Sequence, residues 1–191
     1  MDTVLSIALG IGLSAACGFR VFVPLLIMSI AAYSGQITLS AGFEWIGTLP
    51  ALIAFGTATV LEILAYYIPW LDHVLDAIAT PAAVVAGVIA SASVFADVSP
   101  LLRWTLALIG GGGIAGLVQG ATVLTRFKST AFTGGLGNPV FSTAELVGAV
   151  ATSLLAILIP ILCVILILAG ILLVFFSAHR ILFGKPSLKR S

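Results

Sequence analysis

The sequence predicts an all-α fold, a polytopic transmembrane bundle of six to seven hydrophobic helices, and three observations carry that prediction. Of the 191 residues, 61% are hydrophobic and only 8% are charged, against roughly 25% charged in soluble domains. The mean hydropathy is +1.27. Apolar runs close to the roughly 20 residues that cross a hydrocarbon layer of about 30 Å recur along almost the whole chain. A soluble domain of this length keeps roughly 30% of its unfolded surface in water. This sequence has too few polar side chains to cover such a surface.

Taken in order, the expected spans are 3–17, 19–34, 47–68, 81–97, 101–124, 141–158 and 160–182. The first two are short and meet at Gly18-Phe19-Arg20, so residues 3–34 form two thin spans, one broken helix or a re-entrant hairpin. The stretch from Leu146 to Phe176 is too long for one perpendicular helix. Pro160 has no backbone N–H and is best tolerated in a first helical turn, which places a tight turn just before it; one kinked helix is the alternative. Small residues at helical spacing, Gly10, Ser14 and Gly18 on one helix and Gly112, Gly116 and Gly120 on another, mark close helix packing, because the hydrophobic effect does not drive helices together in lipid. Residues 1–183 are expected to form a single integral membrane domain and 184–191 a basic cytoplasmic tail.

Basic residues near span ends set the orientation. Arg180, Lys185, Lys189 and Arg190 in the tail, and Arg126 and Lys128 in an expected loop over 125–140, place both segments in the cytoplasm. Seven spans then put the amino terminus and the turns near 36–46 and 97–100 outside, with Arg103 the one basic residue against the arrangement. The expected location is a cell membrane crossed several times, with the bacterial inner membrane favoured and the carboxyl terminus cytoplasmic. A secretory signal is not expected, because Asp2 is the only charge before the first apolar run and such signals carry a basic leading region.

A net charge of +1 gives no field that would attract nucleic acid. Cys17 and Cys163 lie in apolar runs without metal-type spacing and read as packing residues. No nucleophile elbow, His-Glu-x-x-His pattern or phosphate-binding glycine loop is present, so no catalytic residue, metal or cofactor is predicted.

The residues that could carry function are ionisable groups kept inside apolar spans, because a charge at the bilayer centre costs roughly 2.5 to 3.5 kcal/mol even on a lenient scale. Arg20, Glu62 and Glu145 qualify, and Arg20 is expected to pair with Glu62 or Glu145. Asp72 and Asp76 are four residues apart, so a helix after Pro69 puts them on one face with His73 beside them. That face reads as a cytoplasmic mouth or cation site, or as a solvated interfacial turn anchored by Trp70 with Tyr66 or Tyr67. The glycine- and hydroxyl-rich stretch 129–139 suggests an anion-binding loop of Arg126, Lys128, Ser129, Thr130, Asn138 and Ser142, or else a flexible turn.

Several of these segments also carry a resemblance. Gly12-Leu13-Ser14-Ala15-Ala16-Cys17-Gly18 followed by Val23-Pro24-Leu25-Leu26, Glu62 with Pro69, Asp72 and Asp76, and Asn138-Pro139 with Ser142 and Glu145 resemble the domain of unknown function 4126 family over nearly the whole chain. The resemblance implies an all-helical membrane domain and supplies no activity. Tyr66-Tyr67 stands where that family has an Asp-Lys pair, and Thr80-Pro81 where an Arg often precedes the proline, so the chain resembles a divergent branch.

The function expected from these residues is a small helical channel or transporter for an ion or small solute, with the lipid bilayer as its surroundings and homo-oligomers open to so small a chain. The alternatives are a membrane-embedded enzyme acting on lipid headgroups through the Asp72, His73 and Asp76 face, and a scaffold whose charges only orient helices.

Overall fold

A computed structural model describes residues 2–68, 71–95 and 98–183, the side chains of residues 72, 73, 175 and 177–183 excepted. The described chain is helical, with α1 (Thr3–Cys17), α2 (Phe22–Tyr33), α3 (Leu49–Tyr66), α4 (Leu71–Val94), α5 (Pro100–Leu106), α6 (Gly113–Thr133), α7 (Asn138–Leu158) and α8 (Pro160–Phe183). A π-helical turn, Ala107–Gly112, joins α5 to α6. Pro100–Thr133 is therefore one helix of 34 residues, about 50 Å long at 1.5 Å per residue. Among the described residues four helices are long and apolar enough to cross a membrane, while Thr3–Cys17, Phe22–Tyr33 and the stretch Pro160–Val174 of α8 are shorter apolar segments.

The bundle buries an apolar core together with several polar and charged side chains, and its outer surface is apolar. On α3 the buried residues are Ala51, Thr59, Glu62 and Tyr66, while Ile53, Val60, Leu61 and Leu64 are exposed. In water such a face would be an unmet hydrophobic cost; in lipid it is the favoured outer surface. The same apolar exposure continues along α7 and α8 at Val147, Leu154, Ile165, Leu166 and Leu173.

α1 is the hub of the bundle. Ten of its fifteen residues are buried, from Ser6 to Cys17, and it packs against α4, α6, α7 and α8. Its contact with α4 is hydroxyl-mediated: Ser14 Oγ lies 2.5 Å from Ser91 Oγ and donates to the Gly87 carbonyl at 2.8 Å. α4 in turn meets the π turn backbone to backbone. A Cβ on Gly111 would stand 2.7 Å from the Gly87 carbonyl oxygen and 2.1 Å from Ser91 Oγ, so the approach needs glycine there.

Chain direction alternates, which gathers the α1–α2, α3–α4 and α6–α7 connections at one end. At the other end the segment 34–48 closes the bundle: Ser40 N–H donates to the Ser93 carbonyl at 2.7 Å, and Ser40 Oγ to the Phe95 carbonyl at 2.7 Å. Arg103 also sits at that end, with Nη1 3.4 Å from the Ala41 carbonyl.

Among the described residues seven helices, with α5 and α6 counted as one, and the break before Pro160 are as the sequence predicts, but two helix limits and one packing position differ. The expected loop over 125–140 is helical through Thr133, and only Gly134 to Gly137 connect α6 to α7, with Gly134 at φ 62° ending α6. The span expected over 81–97 begins ten residues earlier, at Leu71, with Pro81 inside the helix. Gly120 faces open space, so the close approach on this helix belongs to Gly111 more than to the glycines that follow it.

Candidate functional site

The α1–α2 turn stops inside the bundle. Gly18, Arg20 and Val21 are buried, while α6 and α7 continue past this level. Arg126 lies seven residues before the end of α6 and Glu145 seven residues after the start of α7, about 10 Å of helix in each case. α1 and α2 have 15 and 12 residues, about 22 and 18 Å. Together they form a hairpin whose tip is recessed below the surrounding helix ends.

A buried turn exposes the first N–H groups of its second helix to a region without water, and each must find an acceptor. The α2 sequence offers none, because its N-cap is Val21. Glu62 of α3 supplies both: Oε1 accepts from Val21 N–H at 2.8 Å and Oε2 from Phe22 N–H at 3.1 Å. Its negative charge also faces the positive end of the α2 dipole.

Arg20 extends from the tip to α7. Nη2 donates to the Ser142 carbonyl at 2.9 Å and to Ser142 Oγ at 2.5 Å, and lies 3.8 Å from Glu145 Oε2. Of the two acids open to Arg20 on sequence grounds, Glu145 is its ion-pair neighbour. Arg126 grips Glu145 with a two-pronged bond, Nε to Oε1 at 2.9 Å and Nη2 to Oε2, and its Nη1 reaches Asp76 Oδ1 at 3.2 Å. The planar guanidinium matches a carboxylate in this way where a lysine would not. The Tyr66 ring contacts both cations, with its centroid 3.9 Å from Arg20 Cζ and 4.1 Å from Arg126 Cζ.

Arg20, Glu62, Asp76, Arg126 and Glu145 thus form one polar cluster fed by five elements, the hairpin tip, α3, α4, α6 and α7. Two cavities flank it. The smaller, about 300 Å³, is lined by Asp76, Thr80, Arg126, Thr130 and Asn138 among others. The larger, about 800 Å³, is an apolar groove bounded by α6, α7, α8 and the end of α1, and Glu145 is the ionisable side chain on its wall apart from Cys163. The Arg126–Glu145 pair stands between them.

Several sequence expectations change here. Arg126, Lys128, Ser129 and Thr130 belong to α6, and Asn138 and Ser142 to α7, so no loop cradle forms. Arg126 and Ser142 are buried and turned to Glu145 and Arg20; Asn138 Nδ2 donates to Thr130 Oγ1 at 3.1 Å. Tyr66 is no interfacial anchor, being 5% exposed within the cluster, whereas Tyr67 is half exposed, its hydroxyl 2.8 Å from Thr143 Oγ1. Asp76 joins the cluster through Arg126 instead of standing in open solvent. The side chains of Asp72 and His73, the tail 184–191, and Pro69 and Trp70 lie outside the described residues. Among the described residues no group of three or more His, Cys, Asp or Glu is placed to hold a metal ion.

Sequence reasoning gave Tyr66 and Arg126 other roles, an interfacial anchor and a loop cation, and did not join them to Arg20 and Glu145. Tyr66 follows Glu62 by four residues and so shares its helix face. Arg126 follows Gln119 by seven, two helical turns along the buried stripe of Ala115, Gln119, Arg126 and Ser129.

Outward apolar faces around an inward ionic cluster define the class: a polytopic helical membrane protein. The sequence model of the family described as domain of unknown function (DUF4126) matches residues 7–180, and the chain belongs to that family. No curated protein and no solved structure matches the chain.

Proposed function

We propose that this protein is a small transporter or channel that moves an ion or small solute through the bundle, with Arg20, Glu62 and Glu145 in the pathway. One observation carries the reading. The Arg126–Glu145 pair separates a polar cavity of about 300 Å³ at the cluster end from an apolar groove of about 800 Å³ that follows α7 from Phe141 to Leu155, a run of about 20 Å. A pair whose only role is to dock helices needs no cavity on either side, and packing would fill both.

Transporters place irregular backbone and intramembrane charge at the substrate site. The recessed hairpin tip supplies the first and the cluster the second. Arg126 contacts two acids, Glu145 and Asp76, so it has a second partner if the first is drawn away. The cluster end is assigned to the cytoplasm, since Arg126 and Lys128 lie toward it. The membrane is taken to be a bacterial inner membrane with the carboxyl terminus on the same side.

Proteoliposomes test the reading with a panel of proton, potassium, sodium, chloride and small organic solutes. At least one flux is expected above that of empty vesicles and is expected to fall tenfold or more in Glu145→Gln. Fluxes that are identical in the unaltered protein, Glu62→Gln and Glu145→Gln would sink it.

A further inference from the structure

We infer that the apolar groove is a binding site for a lipophilic organic monocation, held by Glu145 in exchange for Arg126; this rests on the transport reading and names its substrate class. The groove wall is built from α7 and α8 side chains such as Leu155, Leu166 and Ile171, with Thr122, Thr125 and Thr152 as scattered hydroxyls. Glu145 is the carboxyl side chain among the described residues on that wall. The cations that neutralise it, Arg126 and Arg20, approach from the cluster side, and neither lines the groove.

Charge and shape select the occupant. A carboxylate on an otherwise apolar wall attracts a positive charge strongly, because little water is present to screen it. A strongly hydrated metal ion would lose its shell there and gain one ligand. A delocalised or bulky organic cation has little shell to lose and covers the apolar wall with its own carbon surface. Phe19 and Phe141 also line the groove, and aromatic faces add attraction for such a cation. A volume of about 800 Å³ lies within the roughly 300 to 1,000 Å³ of small-molecule pockets. An acyl chain from the bilayer would fill the same space but gain nothing from the carboxylate.

The exchange conserves pairing. When the ligand cation takes Glu145, Arg126 keeps Asp76, to which Nη1 is already bonded at 3.2 Å, and turns toward the polar cavity that both residues line. No buried charge is left alone at either stage. Loading the groove and moving Arg126 are then one event, which links the ligand to the state of the cluster end.

Equilibrium dialysis of the full-length protein in detergent micelles, with tetraphenylphosphonium as the probe, tests the site. Saturable binding is expected. Tetraphenylborate, of the same shape and opposite charge, is expected to bind at least tenfold more weakly. Glu145→Gln should weaken tetraphenylphosphonium binding tenfold or more. Gly170→Leu provides a second variant remote from the charges: Gly170 lines the groove, and a Cβ there meets no atom within 4 Å, so the leucine should fill the groove and weaken binding similarly in a folded protein. The inference is overturned if the unaltered protein does not bind the cation, if tetraphenylborate binds as tightly, or if Gly170→Leu binds normally. Binding without uptake into proteoliposomes would keep the site and remove the transport reading. An inorganic ion flux lost in Glu145→Gln with no tetraphenylphosphonium binding would do the reverse.

Discussion

Glu62 does for Phe22 what a serine or aspartate at the N-cap does in most helices, but from a different helix. Its carboxylate accepts the N–H groups of Val21 and Phe22 and so holds the tip of the α1–α2 hairpin against α3. Losing a local N-cap costs roughly 0.5 to 2 kcal/mol, and leaving a buried N–H without an acceptor costs roughly 1 to 3 kcal/mol. Glu62→Gln keeps one acceptor oxygen and loses the charge. It is expected to destabilise the protein by about 1 to 2 kcal/mol, and Glu62→Ala by about 2 to 4 kcal/mol, since it strands two donors. Thermal unfolding in detergent, followed by circular dichroism, gives the order; equal midpoints for both variants would refute the capping role.

The Arg126–Glu145 pair separates structural from functional roles if it is removed together instead of singly. Breaking a buried pair on one side costs roughly 3 to 5 kcal/mol, whereas replacing both members by apolar residues of similar volume is often neutral. Arg126→Met alone is therefore expected to lower the unfolding midpoint strongly. The double variant Arg126→Met, Glu145→Leu is expected to recover most of that loss while remaining inactive in flux. A double variant that recovers both stability and flux would make the pair a helix-docking device only.

Most of the fold was legible because each apolar run carries its own length signal. The spans 3–17 and 160–182 agree with the helices to within a residue, since Gly18 and Pro160 punctuate them. The errors share one cause. The span ending at 124 was cut where polarity rises, but a helix that leaves the hydrocarbon layer does not need to end there; the stop signal is Gly134-Gly135, both at positive φ. Ending the helix early turned Arg126 into a loop residue and hid its pairing with Glu145. The choice between Glu62 and Glu145 as the neighbour of Arg20 was not legible, because it depends on how far the hairpin is recessed, a tertiary property. Tyr66 was hidden for another reason: a tyrosine near a span end has an ordinary interfacial reading, and only the two guanidinium groups over its ring set that aside.

Close packing offers a sharper test at glycines whose surroundings differ. Gly111 opposes the Gly87 carbonyl and Ser91 Oγ, where an added Cβ meets backbone. Gly111→Ala is expected to cost about 1 to 3 kcal/mol, the usual range for overpacking. Gly113, two residues on, has nothing within 4 Å of the added atom, and Gly113→Ala is expected to stay within about 0.5 kcal/mol of the unaltered protein. Unfolding midpoints that do not separate these variants would show that α4 and the π turn are not in backbone contact.

The orientation can be read with two engineered thiols, because the native ones are out of reach: Cys17 and Cys163 are both free and buried. Leu136 lies in the α6–α7 turn and is 87% exposed; Gln36 lies in the exposed segment after α2, at the opposite end. If the cluster end is cytoplasmic, a membrane-impermeant maleimide added to intact cells should modify Gln36→Cys and leave Leu136→Cys unreacted until the membrane is opened. Arg126 and Lys128 place this end inside by the positive-inside rule, and Arg103 lies at the other end. Reversed labelling would invert the protein, placing the polar cavity of Asp76 and Arg126 on the outer face while leaving the groove and its carboxylate where they are.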